Sequence, residues 1–184
     1  MLLKEKTAGL LLVMVFITAV LAWTFGPVLL DPNHYYLSAG GDGIRNYYTV
    51  AYYVKYDSGL HFSGMNYPFG EHVLYTDNQF PIAFCMRQVQ AWLFDVSAYT
   101  VGIINYVMFI SLLLSAVFLY LLLFHLKVKN WFAIPAAVAI AVITPQLQRM
   151  IGHYSLGYVF FMPLILYLLA HFQQTWRKLR WMLL

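Results

Sequence analysis

The sequence predicts an all-α integral membrane protein of about four transmembrane helices, with a long extracytoplasmic loop that contains interfacial helices. Three observations carry this. Of 184 residues, 62% are apolar and only 10% are charged; an ordinary soluble domain is about half apolar and about a quarter charged, and a chain this small could not hide so much apolar surface from water. The apolar residues gather in runs close to the roughly 20 residues that cross a hydrocarbon core. The basic residues Lys4, Lys6, Lys127, Lys129, Arg177, Lys178 and Arg180 flank those runs. That is the pattern of membrane orientation signals, so the net charge of +4 predicts a lipid bilayer as partner and no nucleic acid. The single cysteine, Cys85, excludes an internal disulfide.

The first span is expected over 8–30, broken only mildly by Thr18, Thr24 and Gly26-Pro27. Lys4 and Lys6 resemble the start of a secretory signal, but the apolar run outlasts a signal's core and reads as an uncleaved anchor. The second span, over 101–124, carries no charge. The third is expected over 131–148; its apolar part stops at Pro145 and borrows Gln146 to Gln148 to reach the far interface. The fourth is expected over 154–172, bounded by His153 and by Gln173-Gln174. Each run reads as a helix, because backbone groups in lipid must be satisfied within their own segment. With Lys4 and Lys6 inside, the loop 31–100 falls outside and the remaining basic flanks return inside, in agreement with the positive-inside rule. Trp181-Met182-Leu183-Leu184 resembles the opening of a fifth apolar segment, so the chain is expected to be part of a longer multi-pass protein.

The loop 31–100 holds six acids (Asp31, Asp42, Asp57, Glu71, Asp77 and Asp95), three bases and ten of the fifteen tyrosines. Ile44, Tyr47, Tyr48, Ala51, Tyr52 and Val54 follow helical spacing and predict a helix over 44–55 lying in the interface. Ile82, Met86, Val89 and Leu93 predict a second helix over 81–94, and 64–70 is rich in turn formers. Asp42, within Gly40-Gly41-Asp42-Gly43, reads either as an N-cap in a tight turn or as a carboxylate presented at the membrane surface. Glu71 and His72, with Asp77, Asn78 and Gln79, read first as a hydrogen-bonded loop, since the Glu-His pair has no defined zinc spacing. His153, near Arg149, reads as an interfacial histidine or as a ligand on the same side as Asp42. The tyrosines suit an interface belt or a sugar-stacking surface equally. No phosphate-binding loop, serine nucleophile elbow, His-Glu-x-x-His or Cys-x-x-Cys motif is present.

This organisation resembles the N-terminal part of membrane glycosyltransferases of the GT-C superfamily. The stretches Gly40-Gly41-Asp42-Gly43, Met65-Asn66-Tyr67-Pro68-Phe69-Gly70-Glu71-His72 and Gly152-His153-Tyr154-Ser155-Leu156 also look like those of bacterial multi-pass proteins grouped with that superfamily. The resemblance implies a polyprenyl-phosphate-linked sugar as donor and an acceptor outside the bacterial cytoplasmic membrane, with a cytoplasmic N-terminus. It gives Asp42 the role of general base, or of ligand to a divalent metal such as Mg or Mn. Arg45, Arg87 and Arg149 would bind the donor phosphate, and Glu71, His72, Asp77 and His153 would line the substrate. The rival reading is a non-enzymatic membrane subunit serving assembly, partner binding or transport.

The charge placement predicts that a reporter inserted near Gly59 is external and one fused after Leu184 is cytoplasmic. A cytoplasmic Gly59 reporter would overturn both the topology and the side on which Asp42 is placed.

Overall fold

The computed structural model describes residues 2–38, 40–149 and 152–182, with side chains described from Lys4 to Gln173 apart from Gln146 and Gln148. The side chains of Arg177, Lys178 and Arg180, and the residues Leu183 and Leu184, lie outside the described residues. The protein is mostly helical: α1 (Leu2–Leu30), α2 (Gly41–Tyr56), α3 (Phe80–Trp92), α4 (Thr100–His125), α5 (Asn130–Ile143), α6 (Gln146–Arg149) and α7 (Phe161–Met182). A small antiparallel hairpin, β1 (His61–Phe62) and β2 (Glu71–His72), pairs His61 with His72.

Three helices, α1, α4 and α7, belong to segments long and apolar enough to cross a membrane. The third expected span differs: α5 is 14 residues long and stops at Ile143 instead of continuing to 148. Pro145 disfavours helical backbone at the residue before it, and Thr144 is accordingly turned out at ψ 152. At 1.5 Å per residue α5 reaches about 21 Å, short of a hydrocarbon core of about 30 Å. The fourth coincides with an apolar segment over Tyr154–Gln173 that is long enough to cross a membrane, but its α-helical part starts later. Residues Tyr154–Gly157 form a 3-10 turn, and the α-helix opens at Phe161 with Pro163 in its first turn, where a missing N–H costs nothing. It runs through Gln173-Gln174 to Met182, because Gln, Lys and Arg propagate a helix well. In α1, Phe25 leaves helical backbone at φ −123, ψ 26, two residues before Pro27, and the helix kinks there.

The chain divides into two compact units. One comprises 1–24, 109–146 and 158–184. Its core consists of rows at four-residue spacing, each a single helix face: Val13, Ile17 and Leu21 of α1; Leu112, Ala116 and Tyr120 of α4; Ala133, Ala137 and Ala141 of α5. The alanine row allows close backbone approach, as interfaces between helices in lipid favour. At one end of the unit a polar knot closes the packing. The Tyr120 hydroxyl lies 3.1 Å from the Lys6 carbonyl and 3.2 Å from Asn130 Oδ1, and Asn130 Nδ2 donates to the Glu5 carbonyl at 3.1 Å. Gly9 makes room for that hydroxyl, since a Cβ there would overlap it. α7 leaves Ile165, Leu166, Leu168, Leu169 and Phe172 more than half exposed, an apolar surface that lipid accepts and water does not.

The other unit comprises 25–108 and 147–157. The strap that follows α1 is held to α4 by Asn105. This fully buried amide donates to the Pro32 carbonyl at 2.7 Å and the Tyr35 carbonyl at 2.8 Å, and it accepts the Tyr47 hydroxyl of α2. Asn33 adds a bond from the Gly102 N–H at 2.7 Å. The helix expected over 44–55 is α2, and part of its circumference packs on protein. Gly43, Asn46, Tyr47, Thr49, Val50, Tyr53 and Val54 are buried, whereas Ile44 and Tyr48 are exposed. α2 packs on α3, which buries Ala83 and Met86; Leu93, expected on that face, is the exposed C-cap residue. Asp57 closes the approach to the hairpin by accepting the Ser63 N–H at 2.8 Å and the Ser63 hydroxyl at 2.7 Å.

Overpacking a filled site costs about 1–3 kcal/mol, so Gly9→Ala is expected to lower stability by that amount in detergent unfolding. Adding Tyr120→Phe should cost less than the two single changes summed, because the obstructing hydroxyl is gone. Full additivity would contradict the close approach.

Candidate functional site

The site forms in the second unit, at the start of α2. Gly40 is the N-cap with extended backbone, and Gly41 follows at φ +54, a left-handed conformation that a side chain would strain. Asp42 is therefore not the cap that one reading of the sequence made it. It is the second residue of the helix, where a carboxylate is favoured by the positive end of the helix dipole. Asp42 Oδ2 lies 4.0 Å from His153 Nε2, and the two side chains are 52% and 51% exposed. That separation is too long for a hydrogen bond, but a hydroxyl placed beside the pair reaches both.

What brings His153 there is a chain of backbone bonds and one buried amide. The Arg149 carbonyl, at the end of α6, accepts the N–H of Gly152 at 3.1 Å and of His153 at 2.9 Å. Asn46, four residues along α2 from Asp42, donates to the Asp42 carbonyl at 2.7 Å and to the Gly152 carbonyl at 2.8 Å. Tyr154 is buried and meets Tyr47 edge-on at 5.3 Å. Burial pushes the Tyr47 phenol above its ordinary range, against the hydrogen bonds from Tyr154 and the Leu37 N–H, so it stays neutral and donates to Asn105.

Under this half-exposed rim lies a buried polar layer of Asn46, Thr49, Asn78 and Gln79. Asn78 Nδ2 donates to the Thr49 carbonyl at 3.2 Å, and Gln79 Nε2 is 3.5 Å from Asn46 Oδ1. Arg45 stands next to the layer, 3.4 Å from the Tyr75 carbonyl and 4.0 Å from Asp77 Oδ2. Two of the buried atoms, Arg45 Nε and Asn78 Oδ1, have no hydrogen-bond partner among the described residues.

The residues singled out from sequence therefore separate. Asp42 pairs with His153, and Arg45 with Asp77. The exposed Arg149 contributes its carbonyl to the turn that carries His153. Glu71 and His72 organise the hairpin: Glu71 accepts Asn66 Nδ2 at 2.8 Å, and His72 Nδ1 accepts the Leu74 N–H at 3.3 Å. Arg87 donates to the Val54 carbonyl at 3.1 Å, in the last turn of α2. Val54 is twelve residues beyond Asp42 on one helix, about 18 Å away, so Arg87 serves the opposite end of α2. Asn46, Thr49 and Asn105 were missed in the sequence; the signal was a polar residue on the inward face of an otherwise aromatic helix, and one inside an apolar run. The metal expectation does not fit the donor set. Asp42 and His153 offer two ligand side chains, and no group of three His, Cys, Asp or Glu side chains converges among the described residues.

Residues 14–184 match the model of a family described as a domain of unknown function, DUF6311, and the chain belongs to that family. No curated protein and no solved structure matches it.

Proposed function

We propose that this DUF6311 chain is the N-terminal part of a GT-C-type membrane glycosyltransferase, which moves a sugar from a polyprenyl-phosphate donor to an acceptor outside the bacterial cytoplasmic membrane. The chain enters the membrane with its N-terminus inside, and the segment 131–148 makes the further crossing. The observation that carries the reading is the pairing of Asp42 with His153 at the rim of a buried polar layer, Asp42 lying in the opening turn of the first helix after the apolar α1. A half-exposed carboxylate beside an imidazole receives a hydroxyl from solvent or lipid, whereas a purely structural N-cap would be bonded to its own helix. The two unpartnered buried atoms, Arg45 Nε and Asn78 Oδ1, add support: such groups are costly, and a bound polar substrate relieves the cost.

In this reading the acceptor hydroxyl sits against Asp42 and His153. Its oxygen attacks the anomeric carbon of the donor sugar, its proton passes to the Asp42 carboxylate, and the polyprenyl phosphate leaves with the electrons of the broken bond. In this reading Arg45 and Arg149 take the donor phosphate, whereas Arg87, bonded at the far end of α2, does not share that task. Asp77 holds Arg45 beside the layer.

Asp42→Asn is the direct test in the full-length protein. Loss of a positioned general base costs on the order of 10²–10⁴ in rate, read as transfer to the envelope acceptor in isolated membranes. Abundance and insertion should stay unchanged, since loss of a first-turn charge costs at most about 1 kcal/mol. Near-normal transfer would sink the catalytic assignment and return the chain to the non-enzymatic subunit reading.

A further inference from the structure

The first unit holds a second feature that the transfer reading does not use. Where α1 begins, α4 ends, α5 begins and α7 passes, the helices line a cavity of about 960 Å³. Among the described residues its cations are Lys6, Lys127 and Lys129, joined by the His125 and His171 rings, and Glu5 is the one acid on its wall. Leu121, Phe124 and Trp131 supply apolar wall. Basic residues are expected at such helix ends as orientation signals, but orientation alone does not ask them to converge on one cavity.

The convergence is built in. Asn130 Nδ2 bonds the Glu5 carbonyl and Tyr120 joins Lys6 to Asn130, which ties the start of α1 to the start of α5. Between α4 and α5 the chain turns through Lys127 at φ +63, closed by the Lys127 N–H on the Phe124 carbonyl and the Val128 N–H on the Leu123 carbonyl, each at 3.0 Å. Few residues other than glycine take that conformation, yet a lysine occupies it at the cavity wall. Lys129 is the N-cap of α5 with no side-chain cap bond, and Asn130 and Trp131, the first two helical residues, line the cavity. The positive end of the α5 dipole therefore adds to the lysine charges. The His125 and His171 rings on the same wall lie 5.7 Å apart.

We infer that this cavity binds the phosphodiester headgroup of an anionic glycerophospholipid. Three lysines and a helix N-terminus suit a phosphate oxygen set, and basic pockets between membrane helices hold acidic lipid headgroups in this way. The apolar wall and the long apolar helices that lead from it favour a lipid over free phosphate, because acyl chains have somewhere to lie. The inference rests on the membrane placement proposed above and is independent of the sugar-transfer chemistry.

The test uses the full-length protein reconstituted with spin-labelled phosphatidylglycerol or spin-labelled phosphatidylcholine. The lysine charges add up toward an anionic headgroup, so phosphatidylglycerol should be held at least about tenfold better than phosphatidylcholine. Lys127→Gln with Lys129→Gln should remove the preference, while the same pair changed to Arg should keep it. Lys4→Gln, at an exposed lysine outside the cavity wall, should leave it intact. Equal retention of the two lipids, an undiminished preference in the Gln pair, or an equal fall with Lys4→Gln would overturn the inference. So would displacement of the labelled lipid by millimolar inorganic phosphate, which would identify a free-phosphate site. Should the Gln pair unfold, the lipid comparison on the unaltered protein and the Arg pair still decide.

Discussion

A buried amide inside an apolar helix must find partners, since each polar group left unpaired there costs about 1–3 kcal/mol. Asn105 meets that demand with three groups on two pieces of chain: the Pro32 and Tyr35 carbonyls and the Tyr47 hydroxyl. The strap leaving α1 and the helix α2 are thereby held against α4, and the site depends on that hold. With Tyr47 fixed, Asn46 beside it reaches the Gly152 carbonyl, Tyr154 packs on the Tyr47 ring, and His153 arrives beside Asp42. Replacing Asn105 by an apolar residue would take their amide donor from two carbonyls and the acceptor from the Tyr47 hydroxyl, which is why one side chain in α4 governs a carboxylate on another helix.

Much of this was legible in the sequence, because the constraints involved are periodic. Runs of apolar residues located α1, α4 and the start of α5, and helical spacing placed α2 within a few residues of Gly41–Tyr56. What helical spacing did not reveal is the face of α2 that packs on protein, because Asn46 and Thr49 are polar and nevertheless buried. A buried asparagine that bonds backbone carbonyls on two segments is indistinguishable, in one sequence, from a solvated one. The ends of α5 and α7 depended on local backbone chemistry at Thr144-Pro145 and Pro163, which run length does not encode. The hairpin of two residues per strand is below the length at which alternation can be seen.

The two units use polar residues differently. In the unit containing 25–108 the polar groups are buried and bonded, forming a layer that positions a half-exposed rim. In the unit containing 109–146 they stand at helix ends, where Tyr120 and Asn130 secure the backbone and the lysines meet a cavity. The apolar middle of that second set of helices carries no charge of its own, as a segment in hydrocarbon requires.

The central claim is that Asn105 seats α2 so that Asp42 meets the 152–153 turn. A Cβ on Gly152 would lie 3.9 Å from that of Asp42, inside the about 3.5–4.5 Å that a disulfide spans between Cβ atoms. The most direct measurement is oxidative crosslinking of Asp42→Cys with Gly152→Cys in a Cys85→Ser background, with and without Asn105→Leu. The account predicts rapid intramolecular closure when Asn105 is present and a marked loss of closure when it is replaced. Failure to close with Asn105 in place, or equal closure without it, would contradict it.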